Sequence, residues 1–416
     1  MSQTAPSELR VQCCIAGGGP AGTMAGYILA RAGVDVVVLE KHADFLRDFR
    51  GDTVHPSTME ALAELGLLDD FLKRPHSEFR ELSAQIEQTR FNVVDFRHLP
   101  TRARFVAIMP QWDFLNFLAE AGRALPEFKL KMSSEAMDII QEDGKVVGVV
   151  AATPSGPLEI RADLVIAADG RGSDLRERAG LKVKDLGAPI DVLWMRLPRR
   201  PEDGAVPLGN LGAGHFFVMI ERGDYFQCGF VVPKGGYDAI RAQGLPAFQA
   251  RIAKIAPFLG ERAETLRDWD DVKLLTVTVD RLEQWWRPGL LCIGDSAHAM
   301  SPVGGVGINL AIQDAVAAAN ILSGPLLSGT VTEADLARVQ RRRLWPVSLM
   351  QSIQLIIQNR VLSPVLNQET PIQPPAPLKL LNRFAWLRRW PARVVGMGFR
   401  MEHVRIKDLY RADEDG

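Results

Sequence analysis

The chain has 416 residues, which is too long for one ordinary hydrophobic core, so two or three domains are expected. Its 47% apolar and 24% charged residues are typical of a soluble globular protein, and a net charge of −1 gives no sign of nucleic-acid binding. No signal peptide and no uninterrupted apolar run of membrane-spanning length are expected, which favours a cytoplasmic protein.

The first predicted element is a βαβ unit. An apolar run over residues 11–16 predicts a strand buried in a parallel sheet, and Gly17, Gly19 and Gly22 follow it directly in a Gly-x-Gly-x-x-Gly pattern. A helix-like stretch and a second β-branched strand come next, and that strand ends at Glu40. The order strand, glycines, helix, strand and acid is typical of a dinucleotide-binding unit.

Each of these residues has a physical role in that interpretation. Gly17 permits the tight turn, Gly19 lets a pyrophosphate approach the helix N-terminus, and Gly22 lets the helix pack closely on the strand. Glu40 can accept hydrogen bonds from an adenosine ribose, and an acid there disfavours a 2′-phosphate, so NAD or FAD is expected rather than NADP. The alternative, in which the glycines serve packing alone, leaves Glu40 unexplained.

Two further strand ends carry related signatures. A buried strand ends at Asp169-Gly170, and another ends at Gly294-Asp295. The second is followed by a glycine-rich loop, residues 302–307, and by a helix-like stretch. The three signatures, in this order and spacing, resemble the flavoprotein aromatic hydroxylases, the single-component FAD monooxygenases of the para-hydroxybenzoate hydroxylase type. The resemblance extends from residue 11 to about residue 327.

The resemblance implies how one long ligand could use both glycine loops. The adenosine and pyrophosphate of FAD would occupy the first loop, and the ribityl chain and flavin ring would extend to the second. Asp295 would bond the ribityl chain, Pro302 would stiffen the loop over the ring, and the helix starting near Gly307 would stabilise negative charge on the reduced ring. Many members have a glutamine where this chain has Val306, and a plain strand–helix connector is the alternative. The predicted cofactor-binding residues are Gly17, Gly19, Gly22, Glu40, Arg50, Gln111, Asp169, Gly294, Asp295, Gly305, Gly307, Ile308 and Asn309.

Several polar residues take their expected roles only from the resemblance. Arg50 would approach the cofactor, and Gln111 stands at a helix start where many relatives carry arginine. The nicotinamide of NADH or NADPH would bind transiently near Asp169, Arg171 and Arg176. His55 and His298 are candidates for assisting catalysis, but hydrogen-bonding or surface roles are favoured for both because no triad is visible.

The predicted fold class is α/β, with a Rossmann-like FAD-binding domain, an antiparallel-sheet substrate domain and a helical C-terminal segment. The FAD-binding domain is expected to be discontinuous, over residues 1–78, 102–180 and 277–327. Residues 79–101 and 181–276 would form the substrate domain, because runs at 190–198, 214–222 and 225–233 alternate with period two. Six of their side chains are candidates for the substrate pocket, with core packing as an equal alternative: Trp194, Arg196, Phe217, Met219, Phe226 and Cys228.

The segment 328–416 differs in composition. Residues 338–405 contain eleven Arg and one Lys against two Glu, a net charge of +10. The run over residues 344–362 is amphipathic rather than membrane-spanning. We expect this segment to dock on the FAD-binding domain or on a second subunit. The protein is expected to be a monomer or a homodimer without membrane contact, and binding of the segment to a membrane surface is the alternative.

The resemblance implies an oxidoreductase, an FAD monooxygenase that uses NAD(P)H and O2 and transfers one oxygen atom from a flavin C4a-hydroperoxide to an aromatic or other apolar substrate. Two rivals belong to the same superfamily: an FAD-dependent reductase of isoprenoid double bonds, and a flavin halogenase, whose tryptophan-rich signature is absent here. The others are an NAD-dependent dehydrogenase and a non-catalytic flavin-binding protein. No metal site is expected, because the histidines are scattered and the cysteines lack metal-ligand spacing. Those cysteines are interpreted as buried thiols of a reducing compartment: Cys13, Cys14, Cys228 and Cys292.

Overall fold

A computed structural model describes residues 7–46, 51–204 and 206–410. Within these ranges twenty β-strands are assigned, listed in chain order: β1 (Ser7–Ala16), β2 (Val36–Leu39), β3 (Thr53–Val54), β4 (Ser77–Phe79), β5 (Glu81–Ile86), β6 (Thr89–Asp95), β7 (Val106–Ile108), β8 (Phe128–Lys131), β9 (Glu135–Glu142), β10 (Lys145–Thr153), β11 (Gly156–Ala167), β12 (Val183–Asp185), β13 (Ile190–Pro198), β14 (Gly209–Gly212), β15 (His215–Arg222), β16 (Tyr225–Pro233), β17 (Lys273–Leu275), β18 (Asp280–Leu282), β19 (Trp286–Arg287) and β20 (Leu290–Cys292).

The same ranges contain twelve α-helices: α1 (Pro20–Arg31), α2 (Pro56–Glu64), α3 (Leu68–Leu72), α4 (Gln111–Arg123), α5 (Asp174–Arg178), α6 (Tyr237–Ala242), α7 (Leu245–Ile255), α8 (Gly307–Leu327), α9 (Glu333–Ile357), α10 (Ser363–Leu366), α11 (Ala376–Arg383) and α12 (Arg389–Met397). One turn of π-helix, Gln358–Leu362, joins α9 to α10.

The larger sheet is built on five parallel strands. Its order is β19-β20-β11-β1-β2-β8, with β10 and β9 added as an antiparallel extension of β11. β2 reads VVVL and is buried at every position, as expected for a strand covered on both faces. One face packs against α1, α4 and α8 and the other against a second apolar cluster that includes Trp285. This is the predicted Rossmann-like sheet.

The second sheet has seven strands in the order β17-β13-β16-β15-β14-β5-β6. Its pairs are antiparallel except that β14 runs parallel to β5. The predicted runs 190–198 and 225–233 coincide with β13 and β16. Three elements were not predicted from the sequence: β14, and the helices α6 and α7 that follow β16. The helices matter because α7 covers one face of this sheet.

The helical C-terminal segment packs back on both sheets. α9 contacts α8, and α12 contacts α2 and β6. Among the described residues one stretch, Val303–Leu327, is long and apolar enough to cross a membrane by length and composition, but 67% of its most apolar 18-residue window is buried inside the protein, where α8 packs against α1. The predicted fold class is confirmed, with a parallel sheet, an antiparallel sheet and a helical segment in the expected order.

Candidate functional site

Three neighbouring parallel strands end at the same edge of the larger sheet. Ala16 of β1 pairs with Ala167 of β11, and Ala167 pairs with Cys292 of β20. The backbone hydrogen bonds continue one residue further, since Ala168 N donates to Ala16 O at 2.7 Å and Ile293 N donates to Ala167 O at 3.0 Å. The three predicted signatures follow these strands directly, so they meet although nearly three hundred residues separate the first from the last.

The glycines of the first loop have different surroundings. Gly17 has φ +107°, and a Cβ there would lie 2.3 Å from the Ala168 carbonyl oxygen. A Cβ on Gly22 would lie 1.9 Å from the carbonyl oxygen of Gly17. A Cβ on Gly19 would meet no atom of the described residues within 4 Å. Gly17 and Gly22 are therefore required by the fold, whereas Gly19 borders the open space that a ligand would enter.

The N-terminus of α1 opens onto this space. Gly19 is its N-cap residue, so no side chain caps the first amides, and no acid lies in the first turn. Glu40 lies beside the same loop, where its buried carboxylate accepts hydrogen bonds from Gly18 N at 3.1 Å and His42 N at 3.0 Å. A helix N-terminus with uncapped amides suits a pyrophosphate, and a carboxylate at the end of β2 suits ribose hydroxyls.

The second loop packs against the first. Gly294 has φ +62°, and a Cβ there would lie 3.0 Å from Ala21 Cβ in the first turn of α1 and 3.3 Å from Ala311 Cβ in α8. Its N–H donates to Asp314 Oδ2 at 3.1 Å. The start of the second loop is therefore held between α1 and α8, next to the first loop.

Two acidic residues lie between the loops. Asp295 pairs with Arg171 at 3.1 Å, and its side chain is 33% exposed. Asp169 Oδ1 is buried and has no hydrogen-bond partner among the described residues, while its Oδ2 accepts from Leu175 N at 3.4 Å. Burial raises the pKa of the Asp169 carboxyl. A buried acceptor without a partner is costly to the fold, so its position beside the loops fits a site that a ligand hydroxyl completes.

The glycine loop before α8 is held by residues from the N-terminal part of the chain. The carbonyl of Gly305 accepts a hydrogen bond from Thr53 Oγ1 at 2.9 Å and lies 3.0 Å from His55 Nε2. His55 Nδ1 lies 2.9 Å from the carbonyl of Val395 in α12. Burial lowers the pKa of His55 to about 4, although both carbonyls act in the opposite direction. His55 therefore positions the loop and is not open to solvent.

The start of α8 brings other predicted residues together. Asn309 is buried, and its Oδ1 accepts from the hydroxyls of Ser57 and Thr58 in α2. A Cβ on Gly51 would lie 2.3 Å from Ile308 Cδ1 and 3.4 Å from Gln111 Oε1, so these two side chains converge at Gly51. Arg50, the neighbouring residue, lies outside the described residues. Among the described residues no side chain caps the N-terminus of α8, and α8 has no acid in its first turn, so its first amides suit a partial negative charge.

His298 belongs to a buried polar cluster on the other side of the second loop. Its Nε2 lies 2.5 Å from Asp314 Oδ2, and its ring centroid lies 5.0 Å from that of Trp285. Arg343 donates to Asp314 Oδ1 at 2.8 Å. Burial alone would raise the pKa of the Asp314 carboxyl, but His298 and Arg343 hold it below its usual range. His298 is 1% exposed, so its contacts are structural.

The six predicted pocket residues divide between the two faces of the seven-stranded sheet. Four of them lie in the apolar cluster that packs against α7: Phe217, Met219, Phe226 and Cys228. Trp194 and Arg196 alternate with the β13 residues of that cluster and so lie on the opposite face. Trp194 and Val303 of the glycine loop both pack against a second apolar cluster, which includes Val192 of β13. That face also carries Phe216, Val218 and Gly229, which were not predicted. Their period-two spacing was visible in the sequence, but the face covered by α7 was not.

Two alternative kinds of site find no support. Among residues 7–46, 51–204 and 206–410, no group of three or more His, Cys, Asp or Glu is placed to hold a metal ion. A surface cleft of about 500 Å³, lined by residues that include Arg31, Phe117 and Tyr410, lies at the C-terminal end of α1, opposite Gly19. The two glycine loops therefore form the candidate site.

Comparisons with known proteins agree with this geometry. Residues 10–349 match the family model described as FAD binding domain. The chain is 32% identical over 388 residues to 6-methylpretetramide 4-monooxygenase of Streptomyces rimosus, covering 90% of this chain and 91% of that protein. It is 24% identical over 348 residues to para-nitrophenol 4-monooxygenase of Pseudomonas sp. (strain WBC-3), covering 80% and 82% of the two chains. The solved structure of p-nitrophenol 4-monooxygenase PnpA from Pseudomonas putida DLL-E4 superposes with a TM-score of 0.73 at 20% identity, over 95% of this chain and all (100%) of that one.

Proposed function

This chain belongs to the FAD binding domain family, and from that premise we propose that it is an FAD-dependent monooxygenase that uses NADH or NADPH and O2 to hydroxylate an aromatic small molecule. One oxygen atom of O2 would enter the substrate, and the other would leave as water. The relative at 32% identity is named for 6-methylpretetramide, which favours a phenolic, polyketide-like substrate over a simple phenol.

The observation that carries this proposal is the meeting of the two glycine loops. A dehydrogenase that binds NAD alone needs the first loop only. Here Gly294 lies against Ala21 in the first turn of α1, and the uncapped N-terminus of α8 opens on the same edge of the sheet. A ligand as long as FAD, with a nucleotide at one end and a ring at the other, uses both loops.

Several of the described residues support this placement of FAD. The N-terminus of α1 would bind the pyrophosphate, and Glu40 would accept from the adenosine ribose. Asp295 would accept from the ribityl chain in exchange for Arg171, and the unpaired Oδ1 of Asp169 would gain a partner. The first amides of α8 would stabilise negative charge on the reduced ring without reorganising.

Bound FAD supplies the chemistry itself, which is acceptance of electrons from NAD(P)H and activation of O2. The residues of the chain bind, orient and exclude water. Thr53 and His55 hold the Gly305 carbonyl and thereby the loop beside the ring. Arg171 and Arg176 lie beside Asp295 and Ser296 and are proposed to attract the phosphates of NAD(P)H.

The substrate is proposed to bind between this loop and the seven-stranded sheet. The sheet face that carries Trp194 and Arg196 shares an apolar cluster with Val303 of the loop, and Phe216 and Val218 extend that face. An apolar, aromatic surface beside one guanidinium suits a phenolic ring system. The division into a discontinuous FAD-binding domain and a substrate domain, and a cytoplasmic location, are part of this proposal.

The decisive experiment supplies labelled oxygen. Purified protein is loaded with FAD, mixed with NADH or NADPH, and screened with phenolic and polyketide-like compounds for faster NAD(P)H consumption. With a true substrate and ¹⁸O₂, one labelled atom is expected in the product. Label from water, or equal turnover without oxygen, would identify a dehydrogenase or reductase instead, and a product that requires halide would identify a halogenase.

The placement of FAD is tested separately by its affinity. Glu40→Ala and Asp295→Ala each remove an ionised acceptor for a ligand hydroxyl, which is worth roughly 1.5–3 kcal/mol. The affinity for FAD is therefore expected to fall about tenfold or more. Glu142→Ala, at an exposed ion pair with Arg161, is the control and should bind FAD normally. Unchanged affinity in both site variants would refute this placement.

A further inference from the structure

The C-terminal helices present an exposed surface that is both aromatic and basic. On α11, α12 and the turn between them, four apolar side chains are largely exposed, with Trp386 at 59% and Trp390 at 68%. Four exposed cations lie among them. The aromatic–basic surface, as it is called below, consists of Lys379, Leu380, Arg383, Phe384, Trp386, Arg389, Trp390 and Arg393.

The charge of this surface is uniform. Between Glu369 and Glu402 the sequence contains no Asp or Glu. The four cations of the surface form no ion pair with an acid of residues 7–46, 51–204 or 206–410, and the contact recorded for Arg383 is with the Phe384 ring, 5.7 Å from its centroid. Exposed tryptophans beside unpaired cations are unusual on a surface that faces only water.

The helices that carry the surface are fixed to the fold on their inner side. Ala392 and Met397 of α12 are buried in an apolar cluster with Phe96. Arg388 closes the turn by donating to the carbonyls of Leu381 at 3.0 Å and Asn382 at 2.9 Å. The outer side chains are therefore exposed on a folded element, and their exposure is not that of an unpacked tail.

The positive charge and the exposed aromatic rings of the surface indicate which kind of partner it binds. A second copy of this chain, packed through a two-fold interface, would oppose one set of four cations to an identical set. An anionic lipid surface supplies the opposite charge, accepts tryptophan rings at the headgroup level and lets arginine stems lie along apolar surface. We propose that this protein docks on anionic membranes through the aromatic–basic surface.

Docking here would place the candidate site close to the bilayer. α12 links the surface to the site, because the Val395 carbonyl contacts His55, which in turn contacts the Gly305 carbonyl. A lipophilic aromatic compound that partitions into a membrane could then reach the sheet face of Trp194 with a short path through water. Membrane docking itself is independent of the proposed hydroxylation and is measured without it.

The test is vesicle binding by the full-length protein loaded with FAD. Vesicles of phosphatidylglycerol and phosphatidylcholine are compared with vesicles of phosphatidylcholine alone, by co-sedimentation and by quenching of tryptophan fluorescence with brominated lipid. Binding to the anionic vesicles is expected, and it should weaken as salt is added because surface charges are screened. Equal binding to the zwitterionic vesicles, or no binding to either, would overturn the proposal.

Variants assign the binding to this surface. Each arginine at an anionic membrane surface is worth about a fivefold change in binding, so Arg389→Gln/Arg393→Gln should bind about 25-fold more weakly. Trp386→Ser/Trp390→Ser should also bind more weakly and lose most of the quenching. The matched controls are Trp345→Ser, on α9, and Arg241→Gln/Arg267→Gln, two exposed arginines on the side of the seven-stranded sheet that α7 covers.

The controls also decide the outcome. Equal losses in the control and surface variants would show that the surface is not the docking site. If sedimentation velocity shows a dimer that the tryptophan variant abolishes, and vesicles do not bind, the surface is an interface between copies of this chain and the proposal is wrong.

Discussion

Two glycines that flank Val306 illustrate how single residues divide between fold and site. Gly305 has φ +62°, and a Cβ there would lie 2.9 Å from Thr53 Oγ1, so a larger residue strains the loop. Gly307 has no such backbone requirement, and the nearest atom to its Cβ position is Met300 Cβ at 3.9 Å, an ordinary contact. A substitution at Gly307 should therefore affect the bound ligand, whereas one at Gly305 should affect the conformation of the loop.

Gly307→Val is predicted to keep the fold and the bound FAD but to displace the flavin ring, because the added methyl groups occupy the space beside the first amides of α8. The substitution should not weaken the helix itself, since valine is a better helix former than glycine. The absorption spectrum of the flavin and its rate of reduction by NAD(P)H should both change. Complete loss of FAD, or unaltered spectrum and rate, would contradict this prediction, and Gly305→Val should destabilise the loop instead.

His55 makes stability depend on pH. Its folded-state pKa of about 4 lies below the ordinary value of 6.5, because burial disfavours the charged ring. As pH falls below 6.5 the unfolded chain takes up a proton before the folded protein does, so this contribution to stability is present above that pH and is lost between 6.5 and 4. From pH 7 to pH 5 the loss is about 2 kcal/mol.

The measurement is denaturant unfolding at pH 7 and pH 5. His55→Gln should be less stable than the wild type at pH 7 but should lose about 2 kcal/mol less on going to pH 5. His98→Gln, at an exposed histidine, is the control and should follow the wild type. If His55→Gln and the wild type lose the same stability, His55 is not the group that titrates.

At the level of elements, α8 is the helix on which the site and the C-terminal segment both depend. Its first turn faces the candidate site. Seven residues further along the helix, the Asp314 carboxylate accepts hydrogen bonds from Gly294 N and Arg343 and contacts His298. Arg343 of α9 is completely buried and also contacts Glu402 at 3.4 Å. Arg343 of α9 thereby positions the Asp314 carboxylate, which in turn holds the second loop through Gly294 N.

Arg343→Met is predicted to destabilise the protein by about 3–5 kcal/mol, because it removes the guanidinium that pairs with the buried Asp314 carboxylate. Asp314→Asn/Arg343→Met removes both charges and should cost less than the sum of the single changes by about 0.5–3 kcal/mol. Arg161→Met, in an exposed pair, should cost less than about 1 kcal/mol. Additive costs in the double variant, measured by unfolding, would show that the two side chains are not coupled.

At the level of the whole molecule, a buried ion pair joins the seven-stranded sheet to the small three-stranded sheet β3-β7-β4. Arg222 Nη2, at the end of β15, lies 2.7 Å from Asp52 Oδ2, just before β3, and both side chains are less than 10% exposed (5% and 8%). Burial raises the pKa of the Asp52 carboxyl, while Arg222 opposes that rise. This pair holds the seven-stranded sheet against the residues next to Thr53 and His55.

Arg222→Met is predicted to loosen this junction and to admit water. It should cost about 3–5 kcal/mol of stability, and it should raise the hydrogen peroxide formed per NAD(P)H consumed, because a closed, dry site protects the oxygen transfer. Arg199→Met is the matched control, since Arg199 pairs with Glu221 within the same sheet. An unchanged ratio of product to NAD(P)H in Arg222→Met would show that the pair has no part in closing the site.

The sequence by itself determined the features that depend on near neighbours. Glycine spacing after a buried strand, an acid at the next strand end and two later strand-end motifs identify a nucleotide site and the family, because turns, helix starts and strand ends are set by a few consecutive residues. The same local rules located β13 and β16 and the start of α8 near Gly307.

Only the tertiary structure decided which face of a strand is buried and which distant groups meet. Period two divides β15 and β16 into two faces, but the position of α7 determines that Phe217 and Phe226 face the core rather than the site. His55 and His298 have the same appearance in the sequence, yet one contacts the carbonyls of Gly305 and Val395 and the other contacts Asp314. These outcomes follow from the packing of segments far apart in the chain, and packing depends on the shape and burial of every segment together.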